Sequence, residues 1–289
     1  MNLITIVKPM LERAIICDHC LGRQFALLGT GLENSERGMH LRNACILDAH
    51  RVLKKSSEMQ DDETIMNQNI MKTQAMAGSS IASRLLERLS IPMERASKKP
   101  ATPNAKRIIE TVDCIICRGI FSSKVLLDLI DDAIDITNEM EFSTMLVGTR
   151  ISPIFLEREE EFRVLHGLKW GESFKSHFNR FIGRELTFRI GKDVDFSRPD
   201  IVFIFNISDK DSINISVQVN PYFIYGRYKK NIRGIPQTHW PHKACNGKGC
   251  EECDNTGKQY QQSVEELIAK PVIEETRAGS IKFHGAGRE

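Results

Sequence analysis

Apolar residues recur every three or four positions at Leu3, Ile4, Val7, Met10, Leu11, Ala14 and Ile15, which predicts an amphipathic helix over residues 2–16. A second helix is predicted over about 37–55, with Leu41, Ala44, Cys45, Ala49 and Val52 inward. Cys45 is therefore expected in a core as a small hydrophobe. His40 and His50 read as surface or cap residues, because no partner spacing supports a ligand role. Residues 54–77 are polar and Met-rich and predict a loosely packed helix. Ser79 or Ser80 can cap a helix that buries Ile81, Leu85, Leu86 and Leu89. A further helix over about 123–137 carries Val125, Leu126, Leu129, Ile130, Ala133 and Ile136, and a strand follows near 144–151. Phe174, Phe178, Phe181 and Ile182 predict a helix near 173–182. Strand signals then fall at 186–190, 201–207 and 213–219. The last alternates strictly, with Ile213, Ile215, Val217 and Val219 on one face, and S208-D-K-D-S reads as the turn before it. The expected class is α+β, with residues 124–220 forming a compact α/β domain. Between the helical and α/β parts, residues 91–106 hold three prolines and four Lys or Arg residues, the composition of an exposed linker.

Composition changes this picture little. The chain has 289 residues, 41% hydrophobic and 27% charged, with a formal net charge of +2. That length supports two or three domains with real cores. The charge gives no global signal for nucleic acid, so any such signal must be local. No apolar run approaches membrane-spanning length and the N-terminus lacks a signal-peptide pattern, so no membrane partner and a cytoplasmic location are expected.

Seven of the eight cysteines fall in short clusters. Cys17/Cys20 and Cys114/Cys117 are two C-x-x-C pairs. Each offers two thiolates from one knuckle, and together they supply the four sulfurs of a closed zinc site. Two unrelated pairs, or a thioredoxin-like redox pair, are the alternatives. The redox version needs a strand-to-helix context, whereas here a helix precedes the first pair and Gly119 follows the second. H242-K-A-C245-N-G-K-G-C250-E-E-C253 is a second cluster, with glycines placed for knuckle turns. His242, Cys245, Cys250 and Cys253 make a second possible zinc set, and His239 is a weaker candidate for the fourth ligand. The alternative is a knuckle that holds no metal. A thiol oxidoreductase would need an exposed cysteine of low pKa, and the paired knuckles argue against that.

The run Y222-F-I-Y-G-R-Y-K-K-N-I-R-G-I-P-Q-T-H-W240 interleaves aromatic and basic residues. Arg227, Lys229, Lys230 and Arg233 can neutralise phosphates, and Tyr225 and Tyr228 can stack on bases. The alternative is an amphipathic strand with its aromatics in a core and its lysines in water. The last ten residues, S280-I-K-F-H-G-A-G-R-E289, form a side-chain-poor turn that reads as either an exposed tail or a place of close approach.

From Tyr225 onward, G-R-Y-K-K-N-I-R-G-I-P-Q-T-H-W, the C-x-G-x-G-C-x-x-C knuckle, S263-V-E-E-L-I-A269 and F283-H-G-A-G-R-E289 resemble the archaeal and eukaryotic tRNA pseudouridine synthase family usually called Pus Ten. C17-D-H-C-L-G-R-Q-F-A26 is similar to that family's opening zinc knuckle. The resemblance implies three parts. The first is a zinc-bearing helical accessory region (1–123), with structural zinc on Cys17, Cys20, Cys114 and Cys117. The second is a THUMP-like RNA-binding domain (124–220), whose helix and following strand F174-K-S-H-F-N-R-F-I-G-R-E-L and R198-P-D-I-V resemble. The third is the first part of a pseudouridine-synthase-type catalytic domain (221–289). In related archaeal sequences the second knuckle begins with cysteine where this chain has His242.

The implied activity isomerises uridine in the TΨC arm of tRNA without an organic cofactor. Arg288 matches the family's base-flipping arginine. The aspartate that acts on the flipped uridine follows G-R-E in the family, and this sequence stops at Glu289. The expectation is a chain that binds tRNA and does not isomerise uridine alone, from a truncated gene model, a decayed copy, or a split gene whose partner chain carries the rest of the catalytic domain. The competing expectation is a free-standing THUMP-type, zinc-containing RNA-binding adaptor.

Overall fold

The computed structural model describes residues 2–55, 61–93, 113–138, 140–208 and 212–285, and they divide into two compact units, Met1–Tyr222 and Phe223–Glu289. The class is α+β, as expected. In the first unit α1 (Leu3–Arg13), α2 (Asp18–Arg23), α3 (Asn34–Lys55), α4 (Asp62–Met76) and α5 (Ser80–Arg88) precede α6 (Ser123–Thr137). Then come β1 (Thr144–Ile151), α7 (Pro153–His166), α8 (Phe174–Ile190), β2 (Asp193–Val194), β3 (Ile201–Ile207) and β4 (Ile213–Val219). The helix starts are written in the sequence. Asn2, Asp61, Ser79, Ser122 and Ser173 each accept a hydrogen bond from a backbone N–H of the first turn they precede. Cys45 is fully buried and His40 is exposed. The proline-rich linker expected at 91–106 lies outside the described residues from 94 on.

The sheet order is β2-β1-β3-β4. β1 runs parallel to β2 and β3, because the crossover from β1 to β3 passes through α7 and α8. β4 returns antiparallel beside β3, with Ile201 opposite Val219 and Ile207 opposite Ile213. Met145 and Val147 of β1 and Ile201, Phe203 and Phe205 of β3 are buried on one face. Phe178, Ile182 and Leu186 of α8 belong to the same core, which is continuous with that of the N-terminal helices.

Two expectations are corrected. Residues 186–190 are not a strand but the last turns of α8, which ends at Gly191 with φ 70°. The alternation of Leu186, Phe188 and Ile190 suggested period two. The four-residue stripe Phe174, Phe178, Ile182, Leu186 is fully buried, however, while Phe188 is 88% exposed, so the helical period wins. The Met-rich helix, α4, is not loosely packed: Asn67, Ile70, Met71 and Gln74 are all fully buried. α7 had no clear signal, because E-R-E-E-E surrounds its few inward residues, Phe155, Glu159 and Phe162. No described helix is long and apolar enough to cross a membrane.

The second unit is built on one short three-residue turn of helix, Glu251–Cys253, and on α9 (Val264–Thr276). Among the described residues a single bridge pairs Pro241 with Lys258, flanked by hydrogen bonds from His242 N–H to Gly257 O (2.8 Å) and from Gln259 N–H to Trp240 O (2.9 Å).

Candidate metal centres and nucleic-acid surface

Cys17 precedes α2 and its sulfur accepts the N–H of Cys20 at 3.4 Å, so one helix start sets both sulfurs of the first pair. Cys114 and Cys117 come from a tight turn, which Ile115 ties to the segment between α1 and α2 through its N–H to Ile15 O (2.9 Å). The four Sγ atoms lie within 4.8 Å of one another, and Cys17 and Cys117 sulfurs are 3.6 Å apart. A tetrahedron with metal–sulfur bonds of about 2.3 Å has edges of about 3.8 Å, whereas a disulfide would need about 2.05 Å. The donor set fits a tetrahedral ion. Hydrogen bonds from the neighbouring thiols hold the Cys114 thiol well below the usual range. Cys17 is pushed up by its contacts with Cys114 and Cys117, and Cys20 by burial first. Thiolates brought this close repel one another, a conflict that a divalent cation removes. We expect Cys17→Ser or Cys114→Ser to lower bound zinc by about one equivalent per chain, read by metal analysis of the purified protein.

α2 lies against α3 with no room to spare. A Cβ added at Gly22 would fall 1.7 Å from Asn34 O, and one at Gly38 would fall 2.0 Å from Asp18 O. Arg42 on α3 holds the knuckle from the side, donating to Asp18 Oδ1 at 2.7 Å and to the carbonyl of Ile16.

Behind the sulfurs is a buried polar network that connects α2 and α3 to α7 and α8. His19 stacks on Phe121 with centroids 5.1 Å apart, and its Nδ1 is 3.1 Å from His177 Nε2. Burial and the neighbouring His177 lower its pKa to about 4, so it is neutral at physiological pH. Asn34 contacts His177 Nδ1 at 2.7 Å and donates to Glu172. Arg23, fully buried, faces Glu159 at 2.6 Å and donates to Cys20 Sγ at 3.6 Å. Sequence reading missed Arg23, Glu159, Glu172 and His177. A charged residue one turn after a C-x-x-C cysteine was the one local hint.

In the second unit, His242 Nδ1 lies 3.5 Å from Cys245 Sγ and 3.4 Å from Cys250 Sγ, and Cys253 Sγ lies 3.9 and 3.7 Å from those two sulfurs. These separations also fit a tetrahedral ion with one nitrogen and three sulfur donors. His242 is the histidine that the fold brings to these three sulfurs. His239 is not in this cluster, and its backbone N–H donates to Glu265 Oε2 at 3.3 Å. Burial works to raise the Cys253 thiol, but N–H groups of Cys250 and Gly257 donate to its sulfur and bring it down to about 7. Gly257 has φ +67°, and a Cβ there would meet Gly247 O at 2.4 Å, so the two turns of the knuckle can close only on glycine.

The aromatic and basic run is neither a strand nor a core element. Residues 220–231 have no regular structure, and Tyr225, Arg227, Tyr228 and Lys229 are exposed, as is Arg233; Lys230 is half-buried. Tyr225 is 86% exposed, while the Tyr228 hydroxyl donates to Gln237. Arg288 lies outside the described residues.

A family model described as "Pus10 THUMP domain, archaeal" matches residues 129–206, and one described as "Pus10, C-terminal" matches residues 223–289. Among curated proteins, the chain is similar to "tRNA pseudouridine synthase Pus10" of Methanothrix thermoacetophila, at 36% identity over 288 residues, covering 100% of this chain and 56% of the relative. The protein so named from Methanocaldococcus jannaschii is 37% identical over 289 residues, covering 100% of this chain and 57% of the relative. That of Halorubrum lacusprofundi is 33% identical over 298 residues, with 100% and 56% covered. The chain spans little more than half the length of these relatives. No solved structure matches it.

Proposed function

This chain belongs to the Pus10 family, and on that premise we propose that it serves the conversion of uridine to pseudouridine in the TΨC arm of tRNA. The observation that carries this reading is the exposed run Tyr225–Arg233, which lies within the match to the family's C-terminal model. Buried aromatics would serve a fold. Exposed ones interleaved with cations suit a nucleic acid, because the cations neutralise phosphates and each ring offers a face to an unstacked base.

The roles divide as follows. Tyr225 and Tyr228 stack on exposed bases, and Arg227, Lys229, Lys230 and Arg233 hold the phosphate backbone. The α/β part around β1, β3 and α8 contributes the THUMP-type contact to tRNA. Arg288 assists extrusion of the target base, which must leave its stack before any chemistry at the ring. The resemblance assigns the isomerisation itself to an aspartate after the G-R-E string, so we give no carboxylate of this chain that role. The partner is tRNA, and the setting is the cytoplasm. Structural zinc on Cys17, Cys20, Cys114 and Cys117, and a second on His242, Cys245, Cys250 and Cys253, would supply cross-links that hold the knuckles in shape. No organic cofactor enters the reaction.

Binding to a tRNA transcript, measured over a range of salt, tests the reading. Replacing Arg227, Lys229 and Arg233 together by Ala should lower the slope of log K against log salt by about 2 to 3, since each phosphate contact contributes about 0.7 to 0.9. Tyr225→Ala should weaken binding at fixed salt by about 1–3 kcal/mol, the range for one stacked base. An unchanged slope in the triple variant would remove this surface from the tRNA interface.

A further inference from the structure

We propose that Arg23 is the outer-sphere cation of the Cys17/Cys20/Cys114/Cys117 centre, clamped in place by Glu159, and that it sets how firmly this centre retains its metal. The inference rests on the metal reading of those four cysteines. Four thiolates around a divalent ion carry a net charge of −2. A buried dianion is costly unless donors and opposite charge face it. Arg23 meets that need. It follows Cys20 by three residues in α2, so its side chain lies one turn along the same face. Its Nη2 donates to Cys20 Sγ at 3.6 Å while its Nη1 faces Glu159 at 2.6 Å.

The remainder of the guanidinium is poorly served for a residue that merely stabilises a fold. The side chain is fully buried, its Nε has no hydrogen-bond partner, and the group lies over the ring of Phe174 at 5.2 Å. An apolar side chain of similar volume would satisfy packing alone as well or better. Glu159, only 3% exposed, is held by three further donors: Gln24 Nε2 at 3.3 Å, Arg163 Nη2 at 2.9 Å and the N–H of Phe174 at 3.2 Å. Glu159 and Arg163 stand on α7, and Phe174 begins α8. The charge that steadies the metal knuckle is thus positioned by the helices of the α/β part. Outer-sphere donors of this kind typically change metal affinity by about 10–100-fold when removed.

The test uses the full chain loaded with zinc or with cadmium. Arg23→Met should speed release of zinc from this centre to a chelator by about 10–100-fold. It should also move the cadmium NMR resonance of the four-sulfur centre, because an N–H···S bond is lost from one ligand. The resonance of the His242/Cys245/Cys250/Cys253 centre should stay in place and serve as the internal reference. Arg23→Lys, which keeps the charge, should recover part of the retention. A four-sulfur resonance and a release rate both unmoved in Arg23→Met would overturn the proposal. If that variant does not fold, the same result in Arg23→Gln, which also removes the charge, would do so. An unsubstituted chain that takes up no metal at the four cysteines would overturn the metal reading itself, and is distinguished by an empty four-sulfur signal before any substitution.

Discussion

Removing metal is expected to unfold the second unit while the first keeps its sheet. Among the described residues from Phe223 on, the buried apolar side chains are Cys253 and Val264. Two side chains cannot offset the entropy of ordering a segment of this length, at about 1–2 kcal/mol per residue. The remaining order comes from the knuckle: one bridge, a few backbone bonds across it, and the donor cluster at its centre. Structural zinc sites in small domains supply about 10–16 kcal/mol of apparent binding energy, which is then folding energy. The first unit has a continuous core from Ile6 to Ile207, and the same treatment costs it only one cross-link. Hydrogen exchange after chelation should show lost protection at the N–H groups of His242, Asn255 and Gln259. Those of β3, between Ile201 and Ile207, should stay protected. Retained protection at the knuckle amides after complete metal removal would count against this account.

The second large effect is expected at Gly38. On helix propensity alone, Gly38→Ala should gain about 1 kcal/mol. The added Cβ, however, would lie 2.0 Å from the carbonyl oxygen of Asp18, and that oxygen is backbone, with no flexible side chain to yield. α2 and α3 would have to separate, and α2 carries Cys17 at its start and Cys20 and Arg23 within it. Overpacking of this kind typically costs about 1–3 kcal/mol and sometimes more. With two backbones forced apart, a net loss of about 3 kcal/mol is expected, together with lower zinc content. Gly183→Ala is the control. It sits in α8 of the same unit, its Cβ would meet only Val147 Cγ2 at 3.9 Å, and the propensity gain should stand. Urea midpoints of the three zinc-loaded proteins give the comparison. Equal midpoints for Gly38→Ala and the unsubstituted chain would refute the close approach of the two helices.

Much of the helix placement was legible because its cause is local. The apolar stripe of residues 123–137, and Ser79 with that of α5, announce a face, and in the second case a start, without reference to the rest of the chain. The strands at 144–151, 201–207 and 213–219 announce themselves the same way. Where two periods overlapped, at residues 186–190, local reading failed. Only the core could choose between the faces of Leu186 and Phe188. α7 was silent because its inward residues are few, and one of them, Glu159, is charged.

The sites divide along the same line. C-x-x-C spacing by itself determines that Cys17 pairs with Cys20, and Cys114 with Cys117, because two donors from one turn need only a turn. In the second cluster His242, Cys245, Cys250 and Cys253 lie within twelve residues, so the sequence alone reaches the whole set and leaves open which histidine joins it and whether the knuckle holds a metal. That the two distant pairs meet was a matter of counting to four until the tertiary structure brought Cys17 and Cys117 within 3.6 Å. That Tyr225 and its basic neighbours face water and not a core was undecidable from composition, since an amphipathic strand has the same residues. And the ion pair of Arg23 with Glu159 joins residues far apart in the chain, which no local spacing encodes. Burial made that pairing necessary: a guanidinium enclosed behind the clustered sulfurs must find its counter-charge, and the fold alone decided that α7 would bring it.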